Sequence, residues 1–218
     1  MKFIQQMRCK LADLRGRGVY SGWPNENRAI FIHLPKTAGT SISRQLGLPT
    51  SRHVPAEQYR VANSRKFETY FKFAFVRNPY DRLVSSYAFL RQGGMNVDDA
   101  RFAELKVLPF ENFEHFLTEG FAHDPVTRAW VHFRPQRQFI CDTTGRNLMD
   151  FTGRFERIAE DYAAIAAHLG KPGDLPLSNK STRGDYREAY SPATLEIARH
   201  HFADDLAIFG YDFGFFFR

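Results

Sequence analysis

Short apolar runs alternate along the chain with segments whose apolar residues recur at helical spacing. Ala29 to Leu34, "AIFIHL", predicts a first strand, and Thr40 to Leu46 opens a first helix. Phe71 to Val76, "FKFAFV", apolar but for Lys72, predicts a second buried strand. The "RNP" that follows ends it, since Pro79 suits the first turn of a helix and Asn78 its cap. Within that helix Leu83, Val84, Tyr87 and Leu90 share one face, which predicts packing on the sheet. Gln92 to Pro125 is polar and helical in pieces, best defined at "NFEHFLTEGF"; Phe139 to Cys141 and "GRFERI" read as strand or loop edges. Glu160 to Leu169 is an alanine-rich helix, and Gly170 to Tyr186 a long loop of glycine, proline, serine and basic residues. A last helix starts at Ser191-Pro192 and carries Leu195, Ala198, Phe202, Leu206 and Phe209 on one stripe. The alternation predicts an α/β fold with a central, mainly parallel sheet flanked by helices. With no internal repeat or low-complexity linker, residues 1–218 read as one domain, with 1–27 as a peripheral N-terminal extension.

Composition narrows the partners. A hydrophobic fraction of 43% with 25% charged residues is ordinary globular composition. The net charge of +6 and isoelectric point of about 9.4 favour anionic partners. There is no Lys/Arg block of the kind that makes a nucleic-acid tail, so nucleic acid is not the expected ligand. Cys9 and Cys141 lie far apart with no C-x-x-C spacing, which predicts two free thiols rather than a disulfide framework or a zinc site. Charges interrupt "MKFIQQMRCKLADLRGRG" before a signal-peptide apolar region could form, and no run reaches the length of a membrane span. The expectation is a soluble cytoplasmic protein; oligomeric state is not legible.

Two segments carry chemistry. In "PKTAGTS", the backbone amides of a helix start, the hydroxyls of Thr37, Thr40 and Ser41 and the charge of Lys36 make a cradle for phosphate. A Walker loop places lysine after its last glycine, whereas Lys36 comes three residues before Gly39. In "FVRNPYDRLVSSY", Arg77 ends a strand where a nucleotide kinase tends to place a magnesium-binding aspartate. Its planar fork of donors suits phosphate, and Ser85 follows eight residues on; an ion pair between Arg77 and Asp81 is an equally good reading.

Taken together, these segments resemble the two nucleotide-binding loops of the sulfotransferases that use 3′-phosphoadenosine-5′-phosphosulfate (PAPS). "IFIHLPKTAGTSI" is similar to that family's 5′-phosphosulfate loop and "FAFVRNPYDRLVSSY" to its 3′-phosphate element. The resemblance implies a P-loop NTPase-like sulfotransferase fold. It also implies that Lys36, Thr37, Ala38, Gly39, Thr40 and Ser41 hold the 5′-phosphosulfate, while Arg77 and Ser85 hold the 3′-phosphate. "HFRPQRQFIC" resembles the H-W-x-P-Q segment of Golgi carbohydrate sulfotransferases, with Phe133 in place of tryptophan. "LSNKSTRG" resembles the late loop over the nucleotide, which adds Asn179, Lys180, Ser181 and Arg183 as cofactor candidates. The implied reaction moves a sulfuryl group from PAPS to a hydroxyl of a carbohydrate or glycan-like acceptor, itself able to be anionic, leaves 3′-phosphoadenosine 5′-phosphate (PAP), and requires no metal.

Such a transfer needs in-line positioning, charge neutralisation on the leaving phosphate, which falls to Lys36, and a base for the acceptor proton. His53 is the first candidate base. It lies 24 residues before Arg77, where the branch resembling heparan 2-O-sulfotransferases places its catalytic histidine. His132 in "HFRPQ" is second and Glu57 the fallback, while His33 reads as ordering the loop. The rivals are a nucleotide-dependent kinase, which predicts magnesium and ATP dependence, and a non-catalytic module that binds a sulfated glycan.

Overall fold

The computed structural model describes residues 3–48, 53–176 and 184–214. In chain order these form helices α1 (Phe3–Leu14) and α2 (Trp23–Asn27), strand β1 (Ala29–Ile32), helices α3 (Gly39–Leu46), α4 (Ala56–Ala62) and α5 (Ser64–Thr69), and strand β2 (Phe71–Val76). Helices α6 (Pro79–Arg91), α7 (Val97–Lys106), α8 (Phe113–His115), which runs on as a wider turn over Phe116–Phe121, α9 (Pro125–Ala129) and α10 (Arg137–Ile140) follow. Strand β3 (Phe151–Arg154), α11 (Ile158–His168), α12 (Pro192–His201) and α13 (Ala203–Phe209) complete the order. The described residues fall into two compact units, one of residues 1–76 and 136–179, the other of 77–135 and 180–218.

In the first unit the three strands make a parallel sheet in the order β1-β2-β3, with Ile32 opposite Ala74 and Val76 opposite Arg154. Every residue of β1 and nearly all of β2 is buried, as both faces of a parallel sheet must be. Phe31, Phe73 and Phe75 pack with Ile42 and Leu46 of α3 and with Ile158, Tyr162 and Ile165 of α11. β3 carries Gly153 because a Cβ there would stand 2.5 Å from the Phe75 ring. Residues 1–27 read from sequence as peripheral, yet Tyr20 and Trp23 are buried. The Tyr20 hydroxyl donates towards the Tyr59 and Asn63 carbonyls, at 3.1 and 3.2 Å, and the Trp23 indole donates to the Leu46 carbonyl at 2.8 Å. Lone aromatic anchors of this kind leave no periodicity to read. "QFI" likewise lies in a helix rather than at a strand edge, with Cys141 then bridging to Asn147. Neither Cys9 nor Cys141 is in a disulfide.

The second unit is helical around a phenylalanine cluster, in which Leu83 and Leu90 of α6 meet Phe102, Phe116, Phe121, Phe133 and Phe202. Leu83 and Leu90 of the expected stripe of α6 lie in this cluster, with Tyr87 packed against it. The C-terminal stripe is real but breaks at Phe202, where α12 ends and α13 begins. Ser191 and Thr194 close a reciprocal capping box at the start of α12.

His201, at the end of α12, donates a ring N–H to the Phe133 carbonyl at 3.1 Å. Burial pushes its pKa down to about 4; the Phe133 bond opposes this, and the charges of Arg82 and Arg128 add to it. Because the folded chain disfavours the imidazolium, stability is complete above the ordinary histidine range and falls as pH drops from about 6.5 towards 4. The full shift corresponds to a loss of up to about 3 kcal/mol. Urea unfolding at about pH 8 and about pH 5 should show this slope in the wild type and a shallower one in His201→Phe; equal slopes would remove His201 as its source.

Candidate functional site

The turn after β1 is built against its own backbone preferences. Lys36 and Ala38 both take positive φ, 65° and 62°, a region that costs a residue with a Cβ roughly 1–2 kcal/mol. Thr37 between them is buried, and its hydroxyl donates to the Leu34 carbonyl at 3.0 Å. The side chain of Thr37 thus closes the turn, which corrects the expectation that its hydroxyl faces a ligand. Gly39 starts α3 over the edge of the His33 ring: a Cβ there would stand 1.9 Å from His33 Cδ2. Only glycine lets the helix start that close. Ala38 caps α3 without a side-chain hydrogen bond, so no cap side chain occupies the amides of the first turn. Backbone N–H groups at such a terminus favour an anion. Lys36 and Ser41 are half-buried at this turn and Thr40 is exposed.

His53 stands beside the turn. Its Nδ1 lies 2.9 Å from the His33 carbonyl, and the two rings meet edge-on with centroids 4.6 Å apart. A carbonyl only accepts, so Nδ1 carries the proton and the basic lone pair belongs to Nε2. Glu57, in the first turn of α4, is instead engaged with Arg60 at 2.7 Å. His132 lies in the second unit, 6% exposed, with Nε2 3.0 Å from Asp99 Oδ1 and its ring against Phe89. The neighbouring Phe133 is fully buried. His132 is thus buried and paired with Asp99 within the second unit.

Arg77 is held at the start of the second unit, 7% exposed. Its Nε and Nη2 each donate to Asp81 Oδ2 at 2.8 Å, and its Nη1 donates to Ser85 Oγ at 3.3 Å. The ion pair with Asp81 is thus present, and Ser85 meets the far edge of the guanidinium. Asn78 caps α6 by accepting from the Tyr80 amide, and its side-chain amide donates to the Tyr186 hydroxyl and the Asp212 carbonyl. Asn179, Lys180, Ser181 and Arg183 lie outside the described residues.

Sequence reasoning passed over Arg82 and Asp99. Arg82 is fully buried, with Nη1 donating to the His132 carbonyl at 3.1 Å and Nη2 to the Arg134 carbonyl at 2.6 Å. Its helical register with Ser86 and Leu90, both buried, is a usable signal that the guanidinium turns inward, though not of what it meets there. Arg154 was passed over as well. It is the last residue of β3 and the register partner of Val76.

A family model for the sulfotransferase family matches residues 25–212. The chain belongs to the sulfotransferase family. The match begins just before β1 and includes both chemistry-bearing segments, so this sulfotransferase is a transferase of sulfuryl groups. It is also 24% identical, over 137 residues, to an uncharacterized protein of Archaeoglobus fulgidus; the alignment covers 62% of this chain and 98% of the relative. No solved structure matches the sulfotransferase significantly.

Proposed function

We propose that this sulfotransferase carries a sulfuryl group from PAPS to a hydroxyl of a carbohydrate or glycan-like acceptor. The observation that carries the reading is the contact of Arg77 with Ser85. It sets a cation and a hydroxyl just after β2, where a kinase reading requires a carboxylate to hold magnesium. The ligand of this reading is a nucleotide with phosphate at both ends. In this reading Lys36 and the first-turn amides of α3 hold the 5′ end, and Arg77 with Ser85 holds the 3′-phosphate.

When bound, PAPS supplies the activated sulfuryl group. Lys36 neutralises charge that builds on the leaving phosphate, where a fixed cation is most effective in transition-state stabilisation. His53 Nε2 accepts the acceptor's hydroxyl proton, while the His33 carbonyl holds the ring in the tautomer that leaves this nitrogen basic. The carbohydrate acceptor rests on the likeness of "HFRPQ" to the Golgi enzymes, and the charge of +6 suits an anionic glycan.

Calorimetry without metal tests the donor. The wild type is expected to bind PAP at least about tenfold more tightly than ATP, and Arg77→Lys to weaken PAP by about 10- to 100-fold, since lysine keeps the charge but loses the fork. Lysine is the better probe than alanine, which would strip Asp81 of its guanidinium partner and confound binding with folding. Equal affinity for the two nucleotides would sink the assignment.

A further inference from the structure

α1 presents an apolar face to solvent. Ile4, Met7, Leu11 and Leu14 recur at spacings of three, four and three, which puts them on one side of the helix, and they are 46–82% exposed. The opposite side is fixed inward. Asp13 is buried, pairs with Lys66 at 2.9 Å and accepts from the Asn63 side chain at 2.9 Å. Tyr20 packs edge-on against Tyr59 and Tyr70 just after the helix. The outward direction of the stripe is therefore set by the fold.

The stripe is bordered by cations. At about 100° per residue, Arg8 and Arg15 flank it on one side and Lys10 on the other; all three are exposed, and the only carboxylate of α1 is the inward Asp13. On the Lys10 side lies a polar pocket of about 300 Å³ lined by Gln6, Lys10, Arg60, Asn63, Ser64 and Arg65. Arg60 is paired with Glu57, which leaves the cations of Lys10 and Arg65, with amide and hydroxyl donors, as the chemistry of a phosphate headgroup site.

We propose that α1 and this pocket form a docking surface for an anionic phospholipid membrane. The apolar stripe enters the acyl boundary, Arg8, Lys10 and Arg15 reach to the headgroup level, and one lipid phosphate sits between Lys10 and Arg65. A second copy of α1 is the poorer occupant, because pairing two such helices would bring their flanking cations together with no exposed carboxylate on either to answer them. The helix lies on the bilayer and does not cross it: among the described residues no helix is long and apolar enough to span one. The surface belongs wholly to the first unit and does not rest on the choice of sulfuryl donor or acceptor.

Co-sedimentation with phosphatidylcholine vesicles, with and without about one-third phosphatidylglycerol, tests this on the full chain. The wild type should partition at least about tenfold more strongly to the anionic vesicles, and less as salt rises. The double variant Met7→Asp with Leu11→Asp should lose that partition. The double variant Lys10→Ser with Arg65→Ser should weaken it by at least about tenfold while leaving the thermal midpoint and PAP affinity unchanged. Absence of wild-type binding, equal binding to both vesicles, or indifference to both double variants would overturn the proposal. So would a wild-type dimer in sedimentation velocity that the Met7→Asp, Leu11→Asp variant converts to monomer.

Discussion

His53→Ala is expected to lower the turnover of sulfuryl transfer by about 10²–10⁴-fold while leaving PAP affinity within about threefold of the wild type. The argument is one of proton bookkeeping. A hydroxyl is a poor nucleophile until its proton has somewhere to go, and the His33 carbonyl commits Nδ1 of His53 to donation. Nε2 is left as the nitrogen that accepts. Glu57→Gln should change turnover little, because that carboxylate is held by Arg60. His132→Gln should register as lost stability, since it disturbs a buried contact with Asp99. Conversion of PAPS to PAP in the presence of a sugar acceptor that supports turnover, with PAP affinity measured in parallel, separates these cases. A His53→Ala variant that keeps wild-type turnover would remove His53 as the base and favour the reading of a binding module.

Arg82→Leu is expected to destabilise the chain by about 3–5 kcal/mol. Its guanidinium is fully buried, satisfies the His132 and Arg134 carbonyls and lies 5.5 Å from the centre of the Phe202 ring. Burial lowers its pKa to about 10 against the opposing charge of Asp205, so it is a cation at neutral pH. Leucine would match some of the volume, but it would leave two carbonyls without these donors and the fully buried Asp205 without that countercharge. Lysine should recover only part of the loss, because a single ammonium lacks the fork that reaches both carbonyls. Thermal or urea unfolding measures the effect, and a loss under about 1 kcal/mol would contradict it.

What the sequence makes legible is what depends on local pattern. β2 lies over Phe71–Val76 as expected, Asn78 caps α6 with Pro79 in its first turn, and Ser191 caps α12. These follow from apolar runs and from residues whose side chains act on their own backbone. The Lys36 turn is legible as a strand-to-helix turn, but its positive φ angles are not, since neither lysine nor alanine announces them. Tertiary partners are the larger gap. Nothing in "YDRLV" says that Arg82 reaches the carbonyls of residues 132 and 134, and nothing in "ERIAEDY" says that Asp161 accepts from the Arg154 amide at 2.7 Å. His132 escapes for the same reason: an imidazole beside a proline-containing turn has the same letters whether it faces an acceptor or Asp99.

The cap of α6 also bears on the order in which the chain is completed. Asn78 donates to the carbonyl of Asp212, 134 positions later, and to the hydroxyl of Tyr186, which in turn donates to the Phe213 carbonyl. During synthesis, the residue next to Arg77 therefore waits for 134 further positions before its hydrogen bond to the Asp212 carbonyl can form. A nascent chain stopped short of Asp212 can contain every residue of the candidate nucleotide loops and still lack the clasp at the head of the helix that follows Arg77 and carries Ser85.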